Sequence, residues 1–251
     1  MNAQTLSKMK QMKLHGMANT FESNVETGKW ETYTADELLS LLIEAEWDER
    51  HNRKFNLRLK EADFRYKASI EELSFDAGRN LDKNQIMRLA DCEFIKRKEI
   101  LLVTGSTGGG KSYLASALGN HACEMGLKVL YRPTSKLFSK LKQAKADGSY
   151  AREMKRIEKA DLLIIDDFGI QPLDTHSRMF MMEIMEDRHG KSSTIITSQV
   201  PVAGWYDIIG EQTIADAILD RIIHDAHRIE LKGESLRKKK GKEKPELEEL
   251  N

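Results

Sequence analysis

The chain has 251 residues, 40% of them hydrophobic, which is enough for one large domain or a core domain with a smaller companion. Lys+Arg and Asp+Glu number 40 each, so no global field draws the chain to nucleic acid or membrane, and any such binding must come from local segregation of charge. Cys92 and Cys123 lie far apart with no metal-ligand or disulfide spacing, Met1 to Lys13 lacks a leader-like apolar core, and no run approaches the roughly 18 apolar residues of a membrane span, so a reducing cytoplasm and no membrane partner are expected.

Helical patterns come first. Leu6, Met9, Met12, Leu14, Met17 and Phe21 predict one amphipathic segment closed by Gly28. A second opens at Thr34, with Asp36 and Glu37 in its first turn, and runs through Leu38, Leu39, Leu42, Ile43 and Trp47 towards Leu59. Its far half is basic, with Arg50, Arg53, Lys54, Arg58, Lys60, Arg65 and Lys67, and Phe55, Phe64 and Tyr66 are interleaved; such a run is either a solvated face or a surface for DNA or a partner. Ser74 to Asp82 breaks the pattern, and Gln85 to Ile95 resumes it as a short helix. These features define a helical domain over 1–75, expected to carry DNA or partner binding.

From Ile100 strands alternate with helices, the signature of an α/β fold with a parallel sheet. Strands are predicted at Ile100 to Thr104, Lys128 to Arg132, Asp161 to Asp166, Thr194 to Ser198 and Arg228 to Leu231. The stretch Ser135 to Lys159 reads as two helices turning at Gly148, and its Lys136, Lys140, Lys142, Lys145, Arg152 and Lys155 form the stronger of the two basic patches. An α/β domain is thus expected over 76–237, followed by a charged tail over 238–251 whose composition does not pack.

Between the first strand and the next helix stands Gly105-Ser106-Thr107-Gly108-Gly109-Gly110-Lys111-Ser112, which fits G-x-x-x-x-G-K-[ST] in full and in the strand–loop–helix context that motif requires. Its glycines free the backbone to take φ > 0 and to converge N–H groups on an anion. Lys111 supplies charge for the β- and γ-phosphates, Ser112 a hydroxyl for Mg²⁺, and Tyr113 follows at the edge of the cradle. Leu162-Leu163-Ile164-Ile165-Asp166-Asp167 is an apolar run ending in two carboxylates, 55 residues beyond Lys111. Ligands of open parallel sheets sit outside the carboxyl ends of the strands, so Asp166 belongs beside the cradle as a Mg²⁺ ligand and Asp167 is placed to polarise water. Thr197, Ser198 and Gln199 end the fourth strand, where one of them could sense the γ-phosphate or position that water. Arg221 cannot pair with adjacent Asp220 on one helix and is left to reach elsewhere, a neighbouring subunit's nucleotide included. His224 and His227 have no third ligand and read as a surface pair.

The motifs in this order resemble the IstB family of ATP-binding helpers of insertion-sequence transposition, within the AAA+ group and close to DnaC-type helicase loaders. The resemblance rests on the cradle, on Asp166-Asp167-Phe168-Gly169, on Thr197-Ser198-Gln199, on Trp205, on Ala217-Ile218-Leu219-Asp220-Arg221 and on Gly233-Glu234-Ser235-Leu236-Arg237. The chain departs from the pattern at Gln199, where Asn is usual, and at Leu236, where Tyr is common. The resemblance implies a three-layer P-loop AAA+ domain binding ATP and Mg²⁺, with Asp166 as the metal carboxylate, Asp167 as the catalytic one, Arg221 as a trans-acting finger and Arg237 as a second sensor. It further implies ATP-driven homo-oligomerisation on double-stranded DNA and contact with a transposase. A replicative helicase loader shares every catalytic motif. A P-loop phosphotransferase would need an acceptor pocket that the sequence does not suggest, a GTPase an Asn-Lys-x-Asp motif that does not follow the third strand, and a non-hydrolysing assembly switch would use the same site without turnover.

Overall fold

In the computed structural model, which describes residues 2–28 and 32–233, the alternating region is a parallel sheet. Its strands are β1 (Ile100–Gly105), β2 (Val129–Pro133), β3 (Leu162–Phe168), β4 (Ser193–Ser198) and β5 (His227–Leu231), in the order β2-β3-β4-β1-β5. Arg237 and the tail 238–251 lie outside the described residues. Leu162 to Ile165 are fully buried, as a strand covered on both faces requires. One face packs against α6 (Lys111–Glu124). The other carries α7 (Thr134–Ala146), α8 (Tyr150–Glu158), α9 (Thr175–Arg188), α10 (Trp205–Ile209) and α11 (Gln212–Ile223), whose apolar stripes close over Leu102, Leu163, Ile165 and Ile196. Burying each such side chain fully is worth roughly 1.5–3 kcal/mol, so this interior carries most of the domain's stability. The strand order sets the carboxyl ends of β3, β4 and β1 side by side, which brings Asp166, Thr197 and the cradle to one place.

The chain parts into two compact units between Leu57 and Arg58, earlier than the 75/76 change read from the sequence pattern. Residues 58–75 go with the sheet. Asn120 donates its side-chain N–H to the Ala68 carbonyl at 2.5 Å, Arg132 donates to the Ala62 carbonyl at 3.2 Å, and the Phe64 and Tyr131 rings lie 6.0 Å apart. Two helical elements, the 3₁₀ turn Ala77–Arg79 and α4 (Lys83–Ala90), then lead to α5 (Glu93–Lys96). The single helix expected over Gln85 to Ile95 is divided because Cys92 takes a left-handed φ of 55°.

The first unit holds α1 (Asn2–Gln11), α2 (His15–Thr27) and the greater part of α3 (Ala35–Ala62). The predicted first helix is therefore two. Lys13 adopts φ 60° and Leu14 donates its N–H to the Met9 carbonyl at 2.9 Å, a helix-ending turn that leaves the apolar periodicity unbroken and so invisible to it. The second helix begins as expected: the Thr34 N–H donates to Glu37 at 2.8 Å and the Glu37 N–H to Thr34 Oγ1 at 3.3 Å, a reciprocal cap worth about 1 kcal/mol. Gly16 lies so close to α3 that a Cβ there would stand 2.2 Å from the Ala45 carbonyl oxygen. Beside it the buried Glu46 carboxylate accepts the Gly16 N–H at 2.9 Å and the Met17 N–H at 3.3 Å, anchoring the orphan donors that open α2. Among the described residues no helix is long and apolar enough to cross a membrane.

Candidate functional site

The cradle runs from the end of β1 into α6. Gly105, at φ 146°, passes so near β5 that a Cβ would stand 2.3 Å from the Leu231 carbonyl oxygen, so only glycine fits. Gly108 and Gly110 also take positive φ, of 79° and 90°, whereas Gly109 does not; its N–H closes a turn on the Ser106 carbonyl at 3.1 Å. Gly110 caps α6 without a side chain, leaving the first-turn N–H groups for an anion. Lys111 is buried and its Nζ donates to the Gly105 and Ser106 carbonyls at 2.8 and 2.9 Å. The ammonium is thus stored on the rim of its own loop.

Asp166, with no exposed surface, is held by hydroxyls. Its Oδ1 accepts from Ser112 Oγ at 2.8 Å and from Thr197 Oγ1, and its Oδ2 accepts from the Tyr131 hydroxyl. Burial, and then the Asp166 charge, push the Tyr131 hydroxyl far above its ordinary value, so it stays a donor. Next along, β3 bulges: Ile165 pairs with Ile196 but Phe168 pairs with Ser198. Asp167 sits in that bulge at φ 59°, its N–H donating to Thr197 Oγ1 at 3.0 Å and its side chain 25% exposed. Bulges re-aim side chains beside functional sites, and here two consecutive carboxylates take different roles, one inward and one outward.

Ser112 and Asp166 are hard oxygen donors already within hydrogen-bond distance, which suits Mg²⁺. Among the described residues no three His, Cys, Asp or Glu gather to hold a metal alone, so a cation here would draw further ligands from nucleotide phosphates and water.

Tyr131 and Arg79 were not singled out from the sequence, and Arg65 was read there only as part of the basic run. Arg65, from the segment after α3, places its guanidinium 2.9 Å from Asp167 and 3.8 Å from Asp166. Arg79, buried in the turn before α4, donates to the Ser74 carbonyl at 2.8 Å and the Gly109 carbonyl at 3.0 Å. Because a trans peptide points its C=O and following N–H in opposite directions, fixing the Gly109 carbonyl also aims the Gly110 N–H. The sequence signal for Arg65 was a place in a basic run and for Arg79 no more than a basic residue in a pattern break.

The remaining predicted residues divide. Gln199 Oε1 accepts from Thr107 Oγ1 at 2.7 Å, joining the tip of β4 to the cradle. Ser198, expected as a catalytic candidate, is fully buried: it donates to the Phe168 carbonyl at 2.7 Å and accepts the Val200 N–H at 3.0 Å, so its hydroxyl is spent on the strand end while Thr197 serves the Asp166 carboxylate and the Asp167 N–H. Tyr113 donates to Glu72 and lies 6.2 Å from the Tyr66 ring. Arg221 is not left unengaged as the sequence suggested. It pairs with Glu186 from α9 and donates to the Ala217 carbonyl at 2.7 Å, beside Ile100 and Thr194 at the amino end of the sheet, opposite the chain's own cradle. Of the basic patch, Lys140 pairs with Glu153 at 3.3 Å, Lys142 with Asp174, and Lys145 lies 5.0 Å over the Tyr150 ring. Lys136 is exposed on α7. Arg152 and Lys155, with Lys128, Arg156 and Lys159, line a cleft of about 730 Å³ along the β2 edge. In the first unit Arg50 pairs with Glu46 at 2.6 Å, and Arg53 and Lys54 are exposed.

Comparison with known proteins agrees with this architecture. The family model described as IstB-like ATP binding protein matches residues 7–244. An insertion-sequence ATP-binding protein of Sinorhizobium fredii, y4pL, is 45% identical over 234 residues, covering 93% of this chain and 96% of that protein. Among solved structures, the DnaC helicase loader aligns at TM-score 0.54 and 20% identity over 66% of this chain and 98% of that one. AMPPCP-bound DnaA from Aquifex aeolicus aligns at 0.59 and 18% over 75% and 58%. At these identities the structural likeness establishes the fold, a P-loop AAA+ domain.

Proposed function

We propose, from the premise that this chain belongs to the family of IstB-like ATP binding proteins, that it is a Mg²⁺-dependent ATPase that assembles with copies of itself on duplex DNA and assists a transposase in choosing its target. The observation that carries the hydrolytic reading is the pair of consecutive carboxylates split by the β3 bulge. Asp166 is turned inward to Ser112 and the cradle, and Asp167 is turned outward where it can accept a proton from water. The backbone N–H groups of Gly108 and of Gly110 to Ser112 and the Lys111 ammonium bind and orient the phosphates; Ser112 and Asp166 would hold the cation, which when bound neutralises charge on the β- and γ-oxygens. Gln199, linked to Thr107, registers the γ-phosphate. Arg221 serves the nucleotide of a neighbouring copy, since its place at the far end of the sheet keeps it from its own.

The DNA part is supported by the basic cleft along β2, and the transposition part by relatives named for insertion sequences. The helicase-loader reading rests on a likeness of fold alone and is not adopted. Asp167→Asn tests the assignment: ATP binding is retained, turnover falls by about 10²- to 10⁴-fold, and ATP still promotes assembly on DNA. Unchanged turnover would reduce the site to a binding switch, and DNA binding indifferent to ATP would remove the assembly role.

A further inference from the structure

Arg65 occupies the carboxylate that hydrolysis needs. Its guanidinium stands 2.9 Å from Asp167 and 3.8 Å from Asp166, so one cation spans both carboxylates at the end of β3. The backbone around it is fixed. Ala62 offers its carbonyl to Arg132 at 3.2 Å, Ala68 offers its own to Asn120 at 2.5 Å, and the Phe64 ring packs 6.0 Å from that of Tyr131. The charged end is not fixed in this way: the Arg65 side chain is 43% exposed and its partner Asp167 is 25% exposed. A pair open to water to this degree is weak, and a stronger anion can take one member from the other.

The position of Arg65 says which anion that is. It stands against Asp166, whose other side accepts from Ser112 of the cradle at 2.8 Å. We infer that Arg65 is shared between two anions, the Asp167 carboxylate and the terminal phosphate of a bound nucleoside triphosphate, and that its transfer to the phosphate leaves Asp167 to water. Two effects drive the exchange. A guanidinium 3.8 Å from Asp166 is repelled by a divalent cation held on Ser112 and Asp166. The planar fork of arginine binds phosphate as well as carboxylate, and a terminal phosphate brings more charge and a third oxygen. A nucleoside diphosphate lacks that group, so Arg65 stays on Asp167 and substrate is told from product. The inference rests on the hydrolytic reading above for what Asp167 does once released, whereas the exchange itself is a matter of binding. Arg65 is in this sense a positioning residue.

The test is calorimetric titration of the full chain with Mg-AMPPCP and with Mg-ADP, with circular dichroism as the control on folding. Arg65→Met loses about tenfold in affinity for AMPPCP, the equivalent of one charge-assisted hydrogen bond, and keeps its affinity for ADP. Arg65→Lys, which keeps the charge without the fork, loses less; should the Met variant not fold, the same split between nucleotides in the Lys variant decides. Asp167→Asn releases the guanidinium in advance, so AMPPCP binds roughly two- to fivefold tighter, and the same substitution made in Arg65→Met gains less. Affinities for AMPPCP and ADP that fall together, or that do not change, would overturn the inference. An equal gain from Asp167→Asn with and without Arg65 would do so too, since the guanidinium would then never leave the carboxylate. Turnover plays no part in these outcomes: wild-type hydrolysis by Asp167→Asn would sink the hydrolytic reading alone.

Discussion

The sheet domain and the first 57 residues make opposite use of burial. In the sheet domain polar groups go inside: Lys111, Asp166, Thr197 and Arg79 are buried and converge, by hydrogen bonds, on the carboxyl ends of β1, β3 and β4. In the first unit apolar groups stay outside, with Leu39, Ile43 and Trp47 exposed along α3. Each arrangement is unfavourable in isolation, since an unpaired buried polar group costs about 1–3 kcal/mol and an exposed leucine forgoes a similar gain. A fold keeps such groups when something else satisfies them. Inward polarity therefore points to a small charged ligand, and outward apolarity to another macromolecule.

The contrast breaks most sharply at the cradle. Lys111→Ala removes the ammonium that serves the phosphates; if it forms two charge-assisted hydrogen bonds with them, about 3 kcal/mol in all, ATP affinity falls by at least about a hundredfold. Isothermal titration with Mg-ATP reads this directly, and near-normal affinity would mean that the loop alone holds the nucleotide. The fold should survive, because the carbonyls of Gly105 and Ser106 that Lys111 now occupies lie next to solvent-accessible loop. A smaller effect is expected one shell out. Arg79→Met keeps the bulk but frees the Gly109 carbonyl, and the loss of one hydrogen bond from a charged donor, about 1.5 kcal/mol, weakens nucleotide binding roughly tenfold with turnover at saturation little changed. Arg79→Lys should recover part of the loss. Equal effects of Met and Lys, or a fall in turnover instead of affinity, would deny Arg79 a role in aiming the loop.

Much of this site is legible in the sequence, and the reason is local chemistry. The cradle and the apolar run ending in Asp166 are contiguous, and the parallel sheet then fixes where strand ends go, so Ser112 and Asp166 meet as their spacing implied. What escapes depends on distant pairing. The bulge at Asp167 is a register shift between β3 and β4, and no residue in β3 announces it. Tyr131, Arg65 and Arg79 reach the site from segments whose sequence shows only a strand, a basic run and a pattern break. The first helix break escapes because Lys13 interrupts the backbone and not the apolar repeat. Arg221 shows the reverse error: its neighbour Asp220 is the wrong place to look for a partner, which comes from α9 as Glu186. Nor does a buried charge by itself mark a site. Arg188, pushed down to about 10 by burial, is satisfied by the carbonyls of Ile157, Ala160 and Ser193 and by Thr194 Oγ1, and it simply ties the sheet to its helices.

The smallest effect belongs to the first unit's own buried charge. Burial opposes ionisation of Glu46, but the hydrogen bonds from Arg50, Met17 and Gly16, together with the Arg50 charge, outweigh it and hold the carboxyl below its ordinary 4.5. A carboxyl whose folded value is depressed stabilises the fold fully above its unfolded value and loses that contribution as the pH falls through the folded one. The opening of α2 should therefore loosen on acidification below 4.5 while staying unchanged from there to neutrality. Glu46→Gln keeps the acceptor and removes the charge, destabilising the unit by about 1 kcal/mol at neutral pH and removing most of this acid dependence. Hydrogen exchange at the Gly16 and Met17 amides is the readout, because both donate to this carboxylate. Protection there that is equal in the two proteins at pH 7 would show that α2 is capped by packing against Ala45 and not by charge.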